Sequence, residues 1–210
     1  MLLSGGIDSA TALYLTRPSR RVRVLTFEYH GIARSEVQAA KSVATSAGAR
    51  EHRLIRLPDL KEIGNIRGTR FEGLPPTYIP LRNSVFYSLA ASYAEEIRAT
   101  AIVGGHNRED QTMFSDVRPE FFRSLERALL AASPILRKIG FRIEQPLSGM
   151  NKSQVVKLAH SLGVPLEQTW SCHRGGRNHC WRCAGCLSRG RAFAEAGLKD
   201  PLKSLQGKVT

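Results

Sequence analysis

Ser4-Gly5-Gly6-Ile7-Asp8-Ser9, near the start of the chain in MLLSGGIDSATALYL, is the stretch on which the reading of the fold turns. Two glycines let a backbone come close to a ligand and present N–H groups to it. Asp8 and Ser9 are residue types that cap a following helix. The segment therefore predicts an anion site built from loop amides and a helix N-terminus. Ser4 and Ser9 add hydroxyl donors. A carboxylate cannot favour phosphate directly, so Asp8 is expected to act through a bridging Mg²⁺. The pattern G-x-x-x-x-G-K-[ST] is absent, which separates this loop from the Walker type.

Outward from the loop, strand and helix patterns alternate. Residues 22–27 (VRVLTF), 51–57, 100–104 and 141–147 read as strands. Residues 35–47, 82–97, 119–132 and 152–162 place apolar side chains at helical spacing, and Gly48 and Gly163 suit helix stops. Strands interleaved with helices of this length imply an α/β fold, a Rossmann-like parallel sheet with helices on both faces. Ligands of such sheets bind outside the carboxyl ends of the strands. Loops 4–9, 28–31 and 104–110 are accordingly expected along one rim. Residues 64–80, rich in Gly and Pro, read as a surface loop or lid.

All four cysteines of the chain fall within residues 172–186, as Cys172, Cys180, Cys183 and Cys186 in WSCHRGGRNHCWRCAGC. Cys183 belongs to two C-x2-C pairs, and Cys172 returns from upstream to complete a set of four. A zinc ion takes four tetrahedral thiolates at about 2.3 Å, and a shell filled by protein leaves no place for water, so the expected role is structural. Two disulfides are the competing reading, but nothing else in the chain suggests an oxidising compartment. His173 and His179 then stand beside the ligands rather than among them.

The remaining composition sets bounds. A chain of 210 residues with 42% hydrophobic content has enough material for one domain with a small appendage. The division expected is residues 1–165 for an ATP-binding α/β unit and 166–210 for a zinc-binding segment packed on it. No run of 18 apolar residues and no signal-peptide pattern are present, which points to a cytoplasmic protein without a membrane span. A net charge of +13, carried mostly by arginine, would attract ATP, an anionic substrate or RNA. The charges are scattered, so nucleic-acid contact is the weaker reading.

The string SGGIDS matches the SGGxDS pattern of the PP-loop ATP-pyrophosphatase superfamily, whose members cleave ATP between the α- and β-phosphates. The resemblance implies that Ser4, Gly5, Gly6, Ile7 and Ser9 cradle phosphate, with Asp8 near the metal. That motif normally follows the first strand of the sheet, and here only Met1-Leu2-Leu3 precedes it. The segment Thr169-Trp170-Ser171-Cys172, the cluster His179-Cys180-x-x-Cys183-x-x-Cys186, Pro80-Leu81-Arg82-Asn83 and Asp116-x-Arg118-Pro119-Glu120-Phe121 narrow the resemblance further. Together they resemble the 7-cyano-7-deazaguanine synthase family across residues 2 to 196. That resemblance implies conversion of 7-carboxy-7-deazaguanine, ammonia and ATP to a nitrile. In it, ATP activates the carboxylate, ammonia displaces the nucleotide, and a second activation dehydrates the amide. The protein's task is then positioning and charge stabilisation. Asp8, Arg82 and Lys152 are the expected catalytic residues, with Arg82 and Asn83 also touching the nucleotide.

The match weakens in one place. Where the family reads G-x-N-x-x-D-Y-S-G-Y-P-D-C-R, residues 105–118 keep Asn107, Asp110, Asp116 and Arg118 but lose Tyr-Ser-Gly-Tyr. By position this loop touches the acceptor, and those four residues are the expected substrate contacts. A changed acceptor loop beside an unchanged ATP site also suits an adenylating amide ligase of the same superfamily with a different carboxylate. Transfer of RNA sulfur needs a fifth cysteine, which the chain lacks. A non-enzymatic RNA-binding module would leave the SGGIDS loop without purpose. Assembly as a homodimer is expected, with Trp181 near a partner surface.

Overall fold

The computed structural model describes residues 1–29, 32–58, 60, 78–174 and 176–206. Residues 30–31 of the expected rim loop and 64–77 of the expected lid lie outside them. Four strands are present among the described residues, β1 (Arg23–Tyr29), β2 (Glu51–Leu57), β3 (Ala101–Val103) and β4 (Arg142–Glu144). β1 pairs with β2 and β3 with β4, both parallel.

Residues 1–3 join the two pairs. The Leu3 N–H donates to the Leu25 carbonyl at 2.9 Å, the Leu25 N–H to Met1 at 2.9 Å, and the Leu2 N–H to Val103 at 3.0 Å. This short segment is not at an edge. It lies at the centre, giving the order β2, β1, residues 1–3, β3, β4, and so a crossover point between residues 1–3 and β3. In open α/β sheets a ligand crevice opens at such a point. The side chains alternate as strand geometry requires: Leu3 and Val24 belong to one apolar cluster, Leu2 and Leu25 to the other.

The first cluster is covered by α1 (Ile7–Thr16), α2 (Arg34–Ser46), α7 (Lys152–Ser161) and α8 (Ala184–Ala196). The second is covered by α3 (Arg82–Glu96), α5 (Pro119–Ala132) and α6 (Pro134–Lys138). Each face of the sheet thus carries its own core. The short helix α4 (Asp110–Met113) follows β3 on the rim, and α9 (Pro201–Gln206) closes the described chain. α7 begins in a capping box, in which the Asn151 side chain accepts from the Gln154 N–H and the Gln154 side chain from the Asn151 N–H. Among the described residues, no helix is long and apolar enough to cross a membrane.

Three sequence expectations are corrected in detail. β4 is shorter than 141–147, because the chain turns at Gln145, where the Ser148 N–H returns to its carbonyl at 3.1 Å. The N-cap of α1 is Gly6, not Asp8 or Ser9, which lie inside its first turn. α6 and α8 were not expected; α8 carries small residues and a weak apolar stripe, so its periodicity is faint.

α8 is fixed by a buried ion pair. Arg189 donates to both carboxylate oxygens of Asp200 at 2.7 and 2.9 Å, to Thr169 Oγ1 at 2.8 Å and to the Leu166 carbonyl at 2.9 Å. Replacing one member strands a charge away from water. Arg189→Met is therefore expected to cost about 3–5 kcal/mol in chemical denaturation. A loss below about 1 kcal/mol would mean that the pair is no more than an ordinary surface contact.

Candidate active site and metal centre

The loop of residues 4–9 is arranged by its own hydroxyls. Ser9 Oγ accepts from the Ser4 N–H at 3.2 Å, lies 3.1 Å from Ser4 Oγ, and donates to the Gly6 carbonyl at 3.2 Å. Gly5 sits at φ +84°, and a Cβ there would lie 2.5 Å from the Glu36 carbonyl oxygen and 2.7 Å from the Ala40 nitrogen. Loop and α2 are thus in direct contact, which only glycine permits. From the other side the loop after β3 closes in. A Cβ on Gly105 would meet Ser9 Cα at 2.6 Å and Ser9 N at 2.7 Å. Gly105→Ala is expected to push this loop off α1, costing about 1–3 kcal/mol of stability and weakening ATP binding. Thermal unfolding and ATP titration check this; both unchanged would contradict the close approach.

The charged groups of the site meet at this crevice. Lys152, the first residue of α7, is ion-paired with Asp8 of α1. Its backbone N–H donates to Glu109 Oε1 at 2.9 Å, and the Arg108 N–H donates to Met150 O at 2.8 Å, tying the loops after β3 and β4 together. Asn107 is buried and works as a clamp: its Oδ1 accepts from Glu109 and Asp110 N–H at 2.7 and 3.2 Å, and its N–H donates to Asp110 Oδ2 at 3.0 Å. Burial pushes the Asp8 carboxyl above the usual range; Lys152 opposes this and Asp110 adds to it. Burial likewise raises Asp110, again against Lys152. Burial pulls the Lys152 ammonium down, but Asp8, Asp110 and Glu109 outweigh it, so its pKa ends above the ordinary value.

Asp8 Oδ1 is buried and has no hydrogen-bond partner among the described residues. A buried carboxylate oxygen without a donor, next to a second carboxylate, fits a hard divalent cation with oxygen ligands.

Arg82 and Asn83 open α3 on the same rim. Arg82 Nη1 lies 3.4 Å from Tyr29 Oη, and the Asn83 N–H donates to Asp116 Oδ2 at 3.3 Å. His106 packs against Phe122 and Tyr87 with ring centroids 5.7 and 6.2 Å away. Burial, with Arg82 adding to it, pulls the imidazole down to about 4, so it is neutral at physiological pH.

The four cysteine sulfurs lie within 4.8 Å of one another, with Cys180–Cys186 at 3.9 Å and Cys172–Cys183 at 4.0 Å. All four are free, so the disulfide reading fails. Tetrahedral thiolates at about 2.3 Å from one ion stand about 3.8 Å apart, close to these separations. The Cys183 N–H donates to Cys180 Sγ and the His173 N–H to Cys183 Sγ, each at 3.4 Å. Such donors stabilise thiolates. His179 is buried, and its Nε2 accepts from the Ser171 N–H at 3.0 Å. That ring nitrogen is therefore committed to backbone, beside the four cysteines.

The segment that leads into Cys172 and the loop of residues 4–9 touch. The Trp170 N–H donates to the Gly5 carbonyl at 2.8 Å, and Trp170 Nε1 donates to the Cys172 carbonyl at 2.7 Å.

Comparison with known proteins fits this geometry. The family model described as "Queuosine biosynthesis protein QueC" matches residues 1–197. The chain belongs to the QueC family. The 7-cyano-7-deazaguanine synthase of Thermoplasma acidophilum is 36% identical, over 97% of this chain and 90% of that protein. The enzyme of the same name from Stutzerimonas stutzeri is 39% identical, over 97% and 96%. Among solved structures, NMN synthetase from Francisella tularensis aligns with a TM-score of 0.56 at 18% identity, covering 98% of this chain and 79% of that one. The U34-tRNA thiolase NcsA from Methanococcus maripaludis, solved with a 4Fe-4S cluster, aligns at 0.51 and 15%, covering 92% and 62%. At these identities the two structures show the shared fold.

In this QueC-family chain the structure brings Ser4, Gly5, Gly6, Asp8, Ser9, Asn107, Asp110 and Lys152 together, while the Ile7 side chain is buried in the first apolar cluster. Asp116 stands one step away, tied to Asn83. Arg118 does not join them; it is exposed and donates to the Gln111 carbonyl at 3.0 Å. Sequence reasoning missed Glu36, Glu109 and the Arg189–Asp200 pair. Glu109 was findable, because it lies inside the expected rim loop; Glu36 and Asp200 carry no local signal.

Proposed function

We propose that this chain activates the carboxylate of 7-carboxy-7-deazaguanine with ATP and uses ammonia to form first the amide and then the nitrile. The observation that carries the reading is the half-buried Lys152–Asp8–Asp110 group at the N-terminus of α1, beneath a loop that offers amides to phosphate. The family relation supplies the acceptor and the nitrogen source. Loop residues 4–9 hold the phosphates. Lys152 neutralises charge that builds on the departing pyrophosphate, a type of contact worth most in a site closed to water. Asp8 and Asp110 would hold Mg²⁺, which would neutralise polyphosphate charge. Arg82 and Asn83 contact the nucleotide from the α3 side. Asn107, Asp110 and Asp116 line the acceptor side, and Arg118, turned to the Gln111 carbonyl, does not.

Cys172, Cys180, Cys183 and Cys186 would hold Zn²⁺, which would tie the expected zinc-binding segment (166–210) to the ATP-binding unit (1–165) and take no part in the reaction. The reading includes a cytoplasmic enzyme and a homodimer formed near Trp181, which is half-buried, with the exposed Leu187 on the helix that follows. A second reading, an amide ligase for another carboxylate, is favoured by the exposed Met113 in the altered acceptor loop. Nucleotide products separate these from ATP hydrolysis of other kinds. Acid-dependent release of AMP and pyrophosphate supports carboxylate activation, and ADP as the product would refute it. AMP release with a different acid but not with 7-carboxy-7-deazaguanine would favour the second reading.

A further inference from the structure

Amide formation needs a group to take a proton from nitrogen, and the carboxylates around the crevice are nearly all committed. Asp8 is paired with Lys152, and Asp110 accepts from Asn107. Glu109 accepts from the Lys152 N–H, Asp116 from the Asn83 N–H, and Glu28 pairs with Arg56 at 3.0 Å. Glu36 differs. Among the described residues its carboxyl makes no hydrogen bond and no ion pair, although it is half-buried in the first turn of α2.

Its position is set by backbone contact. The Glu36 carbonyl oxygen is the atom that a Cβ on Gly5 would strike at 2.5 Å, so the first turn of α2 lies directly on the phosphate loop. Side chains in a helix lean toward its N-terminus, and that end of α2 faces the carboxyl rim of the sheet. The charged group facing Glu36 is Arg82 of α3. The phosphate loop meets it with uncharged Gly5, β1 contributes Tyr29 through Arg82, and Arg34 on its own helix is exposed.

We propose that Glu36 is the proton acceptor for the nitrogen nucleophile. This rests on the reading of the chain as a carboxylate-activating ligase. The ammonia lone pair attacks the activated acyl carbon; the C–N bond forms and the C–O bond to AMP breaks, with the electron pair leaving on AMP. The N–H proton passes to the Glu36 carboxylate. In the second round the amide oxygen is activated by ATP with release of pyrophosphate. As AMP departs and the nitrile is completed, the nitrogen gives up its two protons, one to water and one to Glu36, which has already returned its first proton to water.

The electrostatics agree. Burial pushes the Glu36 carboxyl up to about 7, with Arg82 holding it back. A base poised near the working pH exchanges protons in both directions. The accepting form is the carboxylate, so amide formation at fixed free ammonia rises with pH through about 7.

The test compares Glu36→Gln and Glu36→Asp with the wild type in two assays, acid-dependent ATP–pyrophosphate exchange and ammonia-dependent amide formation. Glu36→Gln is expected to keep exchange and lower amide formation by about 10²-fold or more, with the rise near neutral pH abolished. Glu36→Asp is expected to restore part of the rate. Amide formation by Glu36→Gln at the wild-type rate, or with an unchanged pH profile, would overturn the proposal. Parallel loss of exchange and amide formation would overturn it too, since Glu36 would then serve the phosphate loop alone. Exchange in the wild type reports separately on whether the acid itself is right.

Discussion

Lys152→Met is expected to lower kcat by about 10²–10³-fold, the scale found when one preorganised charge-stabilising donor is removed. A lysine at the first position of a helix works against the helix dipole, which favours anions there. Its ammonium is nevertheless held at that end, largely buried and paired with Asp8. The sequence disfavours this placement locally, and the crevice accounts for it. A solvated surface lysine would instead cost within about 0.5 kcal/mol and change no rate. The variant also leaves two carboxylates facing each other. Asp8 and Asp110 already have raised pKa values from burial. A group whose folded pKa is raised contributes most below its unfolded value, and that contribution is lost as pH rises through the folded one. The stability deficit of Lys152→Met relative to wild type is therefore expected to grow from acidic to neutral pH. Steady-state kinetics and denaturation at two pH values measure both effects. Wild-type kcat in a folded variant would remove Lys152 from the mechanism.

Stripping the metal is expected to have the second large effect. Four sulfurs within 4.8 Å of one another, two of them receiving N–H donors, form a site whose thiolates repel one another once the ion is removed. Structural zinc contributes directly to folding. Loss of about 4 kcal/mol or more would lower Tm by about 8–16 °C in a domain of this size. The effect should reach the ATP site through the Trp170 N–H bond to Gly5, because that bond leaves the same segment that carries Cys172. Cys186→Ser, at a buried ligand, is expected to lose the metal, lower Tm and weaken ATP binding together. Metal analysis, calorimetry and ATP titration check the three. A metal-free variant with unchanged Tm would show that the cluster has no structural role.

Much of this arrangement is legible in the chain, and the gaps have physical causes. SGGIDS and the cysteine spacing are local patterns whose chemistry depends on a few adjacent residues, so they survive without the fold. The alternation of strands and helices follows from apolar spacing, and its boundaries moved by only a residue or two at α2 and α3. Residues 1–3 are too short to show any period, so their central place in the sheet came only from hydrogen bonds to Leu25 and Val103. α8 hides because its ligand Cys186 and small residues dilute the apolar stripe. Glu36 and Arg82 are 46 positions apart in sequence, and Arg189 meets Asp200 only after α8 has turned. Contacts of that kind depend on packing, which no local pattern records. The loop of residues 105–118 shows the opposite case: its sequence departs from the pattern expected of the family, yet Asn107 and Asp110 still clamp it in place.

The central claim is most directly tested by product identity. The zinc-loaded wild type is incubated with 7-carboxy-7-deazaguanine, ATP, Mg²⁺ and ammonium, and the deazapurine is followed by mass spectrometry. The account predicts that the acid is converted through the amide to the nitrile, with AMP and pyrophosphate formed at each activation. Unchanged acid, from a preparation that releases AMP with another carboxylate, would contradict it.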